Sequence, residues 1–400
     1  MTSQDQRKHP TKQELAVLKQ LLGLPTSPFH EQHIADFVIR FARRYGWHTR
    51  ADRFGNLRLT ASPRSRPRLL LTAHMDHPGF WAIRMASADQ LVAHWMGGVP
   101  ARLMAGQPVR FWTGGKRMAD NGCGPWSKSN TGLKLGGRVV DATFEEILET
   151  SERGSPSLVR LKVPEPVEPG AIGMWRLGPP AIHEGRIHAR AVDDIAAVAA
   201  LLCTLRRVAR RTEPCPTGFL LTRAEEGGFF GAIDHCRNLK HPERAPLHVG
   251  LEMSMARREV PVGSGVIVRV GDRRMTYDPD VSSWLSAQST RIASRDAGFR
   301  YQRQLMTGGS CESTVYQTYL GRAGALCLPL GNYHNIGENG QGIAPEYIDL
   351  SDFRDLVTLT SSLAQAGYRK SDLSSDPFLD WCESWADQHR HLYDDPAGHA

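Results

Sequence analysis

The strongest constraint on the fold is an alternation of apolar strands and amphipathic helices that is interrupted once. Two helical patterns, at residues 11–24 and 30–47, precede the apolar run "LLLTAH" at 69–74, and strand–helix alternation returns over residues 189–367. Between them, short strand-like pieces such as "QPVRFWTG" and "SLVRLKVP" are separated by Gly and Pro. The alternation predicts an α/β domain. The short strand-like pieces in the middle of the chain predict an inserted all-β domain, a small barrel or sandwich.

These sequence patterns divide the chain into four expected segments. Residues 1–87 and 183–368 are the two parts of the α/β domain, 88–182 form the inserted β domain, and 369–400 form a C-terminal extension. Within the insertion, "FEEILETSE" is expected to be one helix. The extension contains "DPFLDWCESWADQHRHLY", which predicts an amphipathic helix but carries no recognisable chemistry.

Composition excludes several classes of function. The formal charge is +7, but arginines are spread over predicted helices, as in "LRRVARR", and no basic block is interleaved with aromatics, so we expect no nucleic-acid partner. No apolar run reaches membrane-spanning length and the first residues lack an apolar signal segment, so we expect a cytoplasmic protein with no membrane partner. Seven scattered cysteines without a Cys-x-x-Cys pair favour reduced thiols and argue against a thiolate zinc site.

Two adjacent carboxylates begin the most apolar predicted helix. In "ARAVDDIAAVAALLCTL", residues 189–205, Asp193 and Asp194 precede a run of Ala, Val, Ile and Leu. One Asp is explained as a helix N-cap, where its side chain and charge are favourable. Two neighbouring charges repel each other, so a nearby cation is an equal explanation. The segment alone leaves both explanations open.

Other ionisable residues stand at or near the ends of apolar strands. They are His74 and Asp76 after "LLLTA", Glu225 and Glu226 after "FLLTRA", Glu252 within "HVGLEM", and His334 after "CLPLGNY". Each alone has a structural explanation as a satisfied core histidine, a helix cap or a loop residue. Ligands in open α/β sheets bind beyond the carboxyl ends of the strands, so we expect these residues and the Asp doublet to meet in one cleft.

Imidazoles and carboxylates without thiolates form a suitable set for two divalent cations such as zinc, cobalt or manganese. Two such ions need a bridging carboxylate, which one member of the Asp doublet supplies. A water molecule held by both ions becomes acidic enough to act as hydroxide near neutral pH. A further carboxylate must take and return its proton, and the Glu225–Glu226 pair offers one ligand and one base.

Seven short boxes occur in order over about residues 12–366: "FGNL", "AHMDHPGF", "ARAVDD", "EEGGFFGA", "GLEMS", "GGSC" and "PLGNYHNIGE". In this order they resemble the TET-like deblocking or glutamyl aminopeptidases, a family of di-metal exopeptidases. The resemblance implies a mixed-sheet, di-zinc aminopeptidase-like catalytic domain with a small inserted β domain. It also implies homo-oligomers built through that insertion.

The resemblance implies a role for each ionisable residue. Five residues become metal ligands, with His74 and Glu252 on one ion, Glu226 and His334 on the other, and Asp193 bridging both. Glu225 becomes the general acid/base, Asp76 orients the His74 imidazole, and Asp194 helps to hold the backbone beside the bridge. Two divalent ions per chain are implied, zinc first and cobalt or manganese as alternatives.

The chain departs from the family pattern beside its metal boxes. His77-Pro78 follows His-x-Asp, Ile195 follows Asp-Asp, Glu252 stands where Asp is usual, and Ser310-Cys311-Glu312 follows Gly-Gly. These departures leave the predicted metal centre intact but change its surroundings, where the substrate binds.

Three hypotheses follow from the sequence. The first is an aminopeptidase that hydrolyses N-terminal residues from peptides through a metal-bridging water. The second keeps both metals but acts on a non-peptide amide such as an N-acyl amino acid. The third is a non-catalytic assembly protein, against which the complete set of expected ligands and Glu225 argues.

Overall fold

The computed structural model describes residues 9–113, 138–151, 155–211, 215–369 and 377–391. Its helices are α1 (Lys12–Leu22), α2 (Gln32–Arg44), α3 (Ile195–Val208), α4 (Phe230–Arg237), α5 (Pro279–Ala293), α6 (Glu312–Leu320), α7 (Leu350–Ala366) and α8 (Pro377–Gln388). Its strands are β1 (His48–Ala51), β2 (Leu57–Thr60), β3 (Leu69–His74), β4 (Gly79–Met85), β5 (Gln90–Met96), β6 (Pro108–Thr113), β7 (Arg138–Thr150), β8 (Pro156–Lys162), β9 (Ile172–Trp175), β10 (Ala181–His183), β11 (Arg186–Ala189), β12 (Thr217–Thr222), β13 (Leu247–Met255), β14 (Val266–Gly271), β15 (Tyr301–Leu305), β16 (Ala323–Leu330) and β17 (Glu346–Asp349).

A mixed sheet of eight strands forms the centre of the α/β domain, in the order β1-β2-β12-β3-β13-β16-β14-β15. Its four middle strands, β12, β3, β13 and β16, are parallel to one another. Every residue of β3, β12 and β16 is buried, as expected for strands covered on both faces. The predicted mixed α/β domain is confirmed.

Helix α3 is the apolar helix predicted after the Asp doublet. Thirteen of its 14 residues are buried, all except Arg207. It packs against α7, α1 and β3, which explains why its sequence is apolar on every side. The doublet therefore stands where a core helix meets the edge of the sheet.

The parallel middle strands bring their carboxyl ends to one edge of the sheet. Thr222, the last residue of β12, is in register with His74, the last residue of β3. On β13, Glu252 is in register with Cys327 of β16. Loops that leave these four strands therefore begin close together, although they are distant in sequence.

The inserted domain is a closed antiparallel barrel of six strands, β4-β5-β8-β7-β6-β9. Its own core includes Phe80, Trp95, Phe111 and Trp175. The predicted all-β insertion is confirmed, but the barrel begins at Gly79, before the predicted boundary at residue 88. It ends at Trp175, since β10 pairs with β11 and β17 in a separate small sheet. The change of domain lies in the short link between two strands, where composition does not change.

The prediction of a helix at "FEEILETSE" is wrong. Residues 144–150 of this segment lie in β7, which pairs with both β6 and β8. Val140, Ala142 and Phe144 are buried alternately along the strand, so the period is two. Pairing on both sides overrides the local helix preference of Glu and Leu.

Several elements were not predicted, including β15, α6 and the small sheet of β10, β11 and β17. They are short, and their apolar runs are too brief to show a period. The six cysteines in the described ranges form no disulfide with one another. Within those ranges, no helix combines the length and the apolar character needed to cross a bilayer.

Candidate metal centre

Two groups of three side chains meet at the carboxyl edge of the sheet. In the first group, His74 Nε2 lies 3.6 Å from Asp193 Oδ1 and 3.7 Å from Glu252 Oε1. In the second group, His334 Nε2 lies 3.4 Å from Glu226 Oε2 and 3.9 Å from Asp193 Oδ2. Asp193 thus belongs to both groups and turns a different oxygen to each.

The ligand atoms of each group lie within 4.8 Å of one another, a separation that suits donors around one ion. His74 comes from the end of β3, Glu252 from β13, and Glu226 and His334 from the loops after β12 and β16. All five predicted ligands are therefore brought together by four neighbouring parallel strands and the start of α3.

Glu225 stands beside the first group. Its Oε2 lies 3.9 Å from His74 Nε2, and with His74 and Glu226 it completes a third cluster of possible ligand atoms. The side chain is only 8% exposed. Glu225 is therefore close enough to act on a group held between the two sets of ligands.

The site concentrates buried negative charge. Burial, together with the charge of Glu252, raises the pKa of Asp193 to about 8. Burial also raises the pKa values of Glu225 and Glu226 well above their ordinary range. For His74, burial acts to lower the pKa, but the charges of Glu225, Asp193 and the other carboxylates raise it well above 6.5. Without cations, protons must compensate for the crowding of these carboxylates.

The residues fit a pair of divalent cations. Asp193 Oδ1 and Glu226 Oε1 are buried and have no hydrogen-bond partner in the described parts of the chain. Buried carboxylate oxygens are costly unless something positive satisfies them. Two imidazole nitrogens and three carboxylates, one of them shared, are the donor types that zinc and related ions accept.

The two members of the Asp doublet have different surroundings. Asp194 occupies the N-cap position of α3, but its side chain makes no capping hydrogen bond. Its Oδ2 instead accepts the His74 backbone N–H at 3.2 Å, and the peptide bond that joins it to Asp193 is cis. Asp193 faces the ligand cluster. Asp194 therefore occupies the N-cap position without capping the helix through its side chain, and the cap explanation does not account for Asp193.

Asp76 contacts both glutamates as well as His74. Its carboxylate accepts the backbone N–H groups of Glu225 and Glu226 at 2.9 and 3.0 Å. Its Oδ1 lies 3.5 Å from His74 Nδ1, while the Asp76 carbonyl oxygen is closer, at 3.2 Å. The role of Asp76 as the orienting partner of His74 stays a prediction, and its shorter bonds hold the turn that carries the glutamates.

Glu346 is a buried carboxylate that the sequence analysis missed. From the start of β17, its Oε2 accepts the backbone N–H groups of Val192 and Asp193 at 2.8 and 3.0 Å. Burial, with the charge of Asp193, raises the pKa of Glu346 well above its ordinary range. Glu346, in the segment "APEYID", belongs to no periodic pattern and no recognisable spacing, so only the fold reveals its role.

His77, one of the departures from the family pattern, links the Asp doublet to the His334 loop. Its Nδ1 donates to the Asp193 carbonyl oxygen at 2.6 Å, and its Nε2 lies 3.0 Å from Asn335 Oδ1. Asn335 Nδ2 donates to the Arg190 carbonyl oxygen at 2.8 Å. Burial lowers the pKa of His77 to about 4, and these hydrogen bonds oppose that shift. The imidazole is therefore a structural support of the site.

A buried ion pair supports the turn before Glu225. Ala224 has a φ of +52°, a conformation that residues with side chains rarely adopt. Arg223 Nε donates to Glu31 Oε2 at 2.7 Å, and the Ala224 N–H donates to Glu31 Oε1 at 3.0 Å. Glu31 thus holds the strained turn through two neighbouring residues, Arg223 and Ala224. None of the sequence boxes contains Glu31.

The barrel supplies part of the wall around the second group of ligands. Gly98 follows β5, and a Cβ atom at this position would lie 2.6 Å from His334 Nδ1. Only a residue without a side chain allows the barrel and the imidazole to approach so closely. The inserted domain therefore contributes directly to the site.

A small cavity of about 10 Å³ lies beside Glu252, and Ser310, Tyr333 and Arg257 contribute to its wall. The Tyr333 ring stacks on the imidazole of His334, with centroids 4.0 Å apart. The Arg257 guanidinium lies beside Gly308, since its Nη2 is 3.6 Å from where a Cβ atom would stand if this residue had a side chain. In the described parts of the chain, Arg257 makes no ion pair, so the wall carries an unpaired positive charge.

Comparison with known families adds to this geometry. Residues 161–338, which include four of the five predicted ligands and Glu225, match the family model described as M42 glutamyl aminopeptidase. The chain resembles the M42 glutamyl aminopeptidases. The resemblance predicted from the sequence boxes is confirmed, and the match supports a peptide-hydrolysing enzyme. Among curated proteins, no match was found.

Solved structures of aminopeptidases share the fold. The TET aminopeptidase of a marine sediment archaeon, Thaumarchaeota archaeon SCGC AB-539-E09, superposes with a TM-score of 0.69 at 16% identity, over 91% of this chain and 99% of that chain. The TET1 peptidase of Pyrococcus horikoshii, which assembles into a tetrahedron or an octahedral shell, gives 0.67 at 19%, over 88% and 99%. An aminopeptidase of Desulfurococcus kamchatkensis gives 0.67 at 17%, over 90% and 96%. At these identities the likeness shows the fold.

Proposed function

We propose that this chain is a two-metal aminopeptidase that removes N-terminal residues from peptides. The observation that carries the proposal is Asp193, whose two carboxylate oxygens face two separate sets of ligands. His74 and Glu252 would hold one ion, and Glu226 and His334 the other. When bound, the two cations would make a shared water molecule acidic and polarise the scissile carbonyl group.

Glu225 is the proton carrier in this proposal. It takes a proton from the attacking water and gives it to the amine of the departing peptide, which needs a carboxylate close to the reacting atoms. Without bound cations, burial and the neighbouring carboxylates raise the pKa of Glu225 well above its ordinary range. Asp76 fixes its position by accepting the Glu225 backbone N–H.

We infer a preference for substrates with an acidic first residue from the positive charge at the wall of the small cavity beside Glu252. The Arg257 guanidinium reaches its wall without an ion pair among the described residues, and Ser310 and Tyr333 add hydroxyl groups. A substrate carboxylate would supply the missing partner. The description of the matched family as glutamyl aminopeptidase agrees with this preference.

Three finer features belong to the same proposal. Zinc is the first expectation for both ions, with cobalt and manganese as alternatives. The protein forms homo-oligomers, as the assembly of the TET1 peptidase suggests, and we expect the barrel to make the contact between subunits. It works in the cytoplasm on short peptides.

A substrate panel tests the proposal. Aminoacyl anilides, short peptides and N-acyl amino acids would be supplied to metal-free protein reconstituted with zinc, cobalt or manganese. We expect hydrolysis of substrates with a free N-terminus, fastest with an N-terminal Glu, and an Arg257→Ala variant that loses about tenfold or more on glutamyl anilide only. Arg258→Ala is the matched control. Hydrolysis confined to N-acyl amino acids would support a non-peptide amidohydrolase, and no turnover with any metal would support an assembly protein.

A further inference from the structure

The C-terminal helix α8 carries an aromatic face that has no visible function in the catalytic site. Trp381 and Trp385 are one turn apart, with their rings stacked at a centroid distance of 5.5 Å. Their exposed fractions are 52% and 49%. Exposed tryptophan pairs are rare on a free surface because their burial is strongly favourable, so this face indicates a binding surface.

The extension differs in charge from the rest of the chain. Residues 370–400 contain seven acidic and two basic residues, a net charge of −5, which leaves +12 on residues 1–369 of a chain whose net charge is +7. On α8 itself, Asp380, Glu383 and Asp387 are exposed. A partner for α8 should therefore be basic, and the body of this chain is basic.

A suitable surface lies between the ends of α5 and α7. A groove of about 430 Å³ is lined by Arg291, Ile292 and Arg295 of the α5 side and by residues from Thr358 to Ala366 of α7. Both arginines are exposed, and neither forms an ion pair with any described residue. The acid at this groove, Asp296, is already paired with Arg354.

We propose that α8 docks into this groove on a second copy of the chain. Guanidinium groups stack on tryptophan rings and attract carboxylates, so Arg291 and Arg295 suit both features of α8. In the structure, the groove of the same chain does not cover the tryptophans, and the described side chains of α8 are nearly all exposed. This contact is independent of the proposed catalytic function and is separate from any contact made by the barrel.

Charge exchange between two variants tests the proposal. One variant carries Asp380→Lys, Glu383→Lys and Asp387→Lys, and the other carries Arg291→Glu and Arg295→Glu. We expect each variant alone to form a smaller species than wild type in light scattering. A mixture of the two should recover the wild-type mass, because each helix then meets a groove of opposite charge on the other variant. Arg64→Glu with Arg66→Glu, a pair of exposed arginines elsewhere, should keep the wild-type mass.

The other outcomes overturn the proposal. If mixing fails but one chain that carries both sets of changes recovers the mass, α8 docks on its own chain. If hydrogen exchange shows unprotected α8 amides in assembled wild-type protein, a second copy does not cover the helix. As a second variant, Trp381→Ser with Trp385→Ser should reduce the mass while the melting temperature of the body stays unchanged. An unchanged mass would contradict the proposal.

Discussion

Glu225 and Glu226 are neighbours in sequence, yet their carboxylates lie in different parts of the cluster. Glu226 Oε2 faces His334 Nε2 at 3.4 Å, whereas Glu225 Oε2 faces His74 Nε2 at 3.9 Å. Glu225→Gln should keep both metals and lower kcat by about 10²–10⁴-fold, because it removes the base. Glu226→Gln should instead weaken one metal site, since an amide is a poorer ligand.

Metal content and turnover of the two variants check this assignment. Added metal should partly restore Glu226→Gln and should not restore Glu225→Gln. If Glu225→Gln loses metal while Glu226→Gln keeps it and loses only rate, the two roles are exchanged.

Glu346 provides a second test. Its carboxylate accepts the backbone N–H groups of Val192 and Asp193 and belongs to neither group of ligands, so we expect it to position the bridging residue. Glu346→Gln should weaken metal binding by about 10–100-fold, the usual effect of losing an orienting partner. Calorimetric titration would measure it, with the exposed Glu338→Gln as a control. Unchanged affinity at both sites would show that Glu346 serves only the fold.

The residues proposed to bind metal or to transfer protons could be predicted from the sequence. The residues that position them could not. The predicted ligands stand within or beside apolar segments, where an ionisable side chain is conspicuous. Glu31 is one of several polar residues at the start of α2, and Glu346 and Asn335 lie outside the long apolar elements. Their roles depend on contacts between residues more than 140 positions apart, as for Glu346 and Asp193. Such contacts leave no local pattern.

At the scale of elements, the close approach of the barrel to His334 makes a steric prediction. Gly98→Ala would place a methyl group 2.6 Å from His334 Nδ1, so the imidazole must move. We expect the second metal site to weaken by about 10–100-fold while the first remains. Gly178→Ala, where a Cβ atom would meet nothing within 4 Å, is the matched control. Two intact sites in Gly98→Ala would contradict the described contact.

Long apolar elements could be predicted, and elements defined by pairing could not. Helices α2, α3 and α7 follow from apolar spacing over 13, 14 and 17 residues. The helix expected at "FEEILETSE" is a strand because β6 and β8 flank it, and a single sequence does not show those neighbours. The barrel begins at Gly79 and not at the predicted residue 88, because β4 follows β3 without a change of composition that would mark the boundary.

At the scale of the whole molecule, the barrel is expected to join subunits. A variant in which residues 79–175 are replaced by a short Gly/Ser linker should contain fewer subunits per particle than wild type, as measured by light scattering. Its second metal site should also weaken, because the barrel wall that approaches His334 at Gly98 is then missing. A wild-type protein that is monomeric at all concentrations would contradict the role of the barrel in assembly.

In the proposed metal centre, five side chains hold two cations through one shared carboxylate. Elemental analysis with calorimetric titration of metal-free protein measures this. We expect about two tightly bound divalent ions per chain. We expect about one for His334→Ala, which removes a ligand from one group only, and tight binding of neither for Asp193→Ala, which removes the shared ligand. Wild-type protein that binds no divalent ion tightly, or an Asp193→Ala variant that still binds two, would contradict the proposed metal centre.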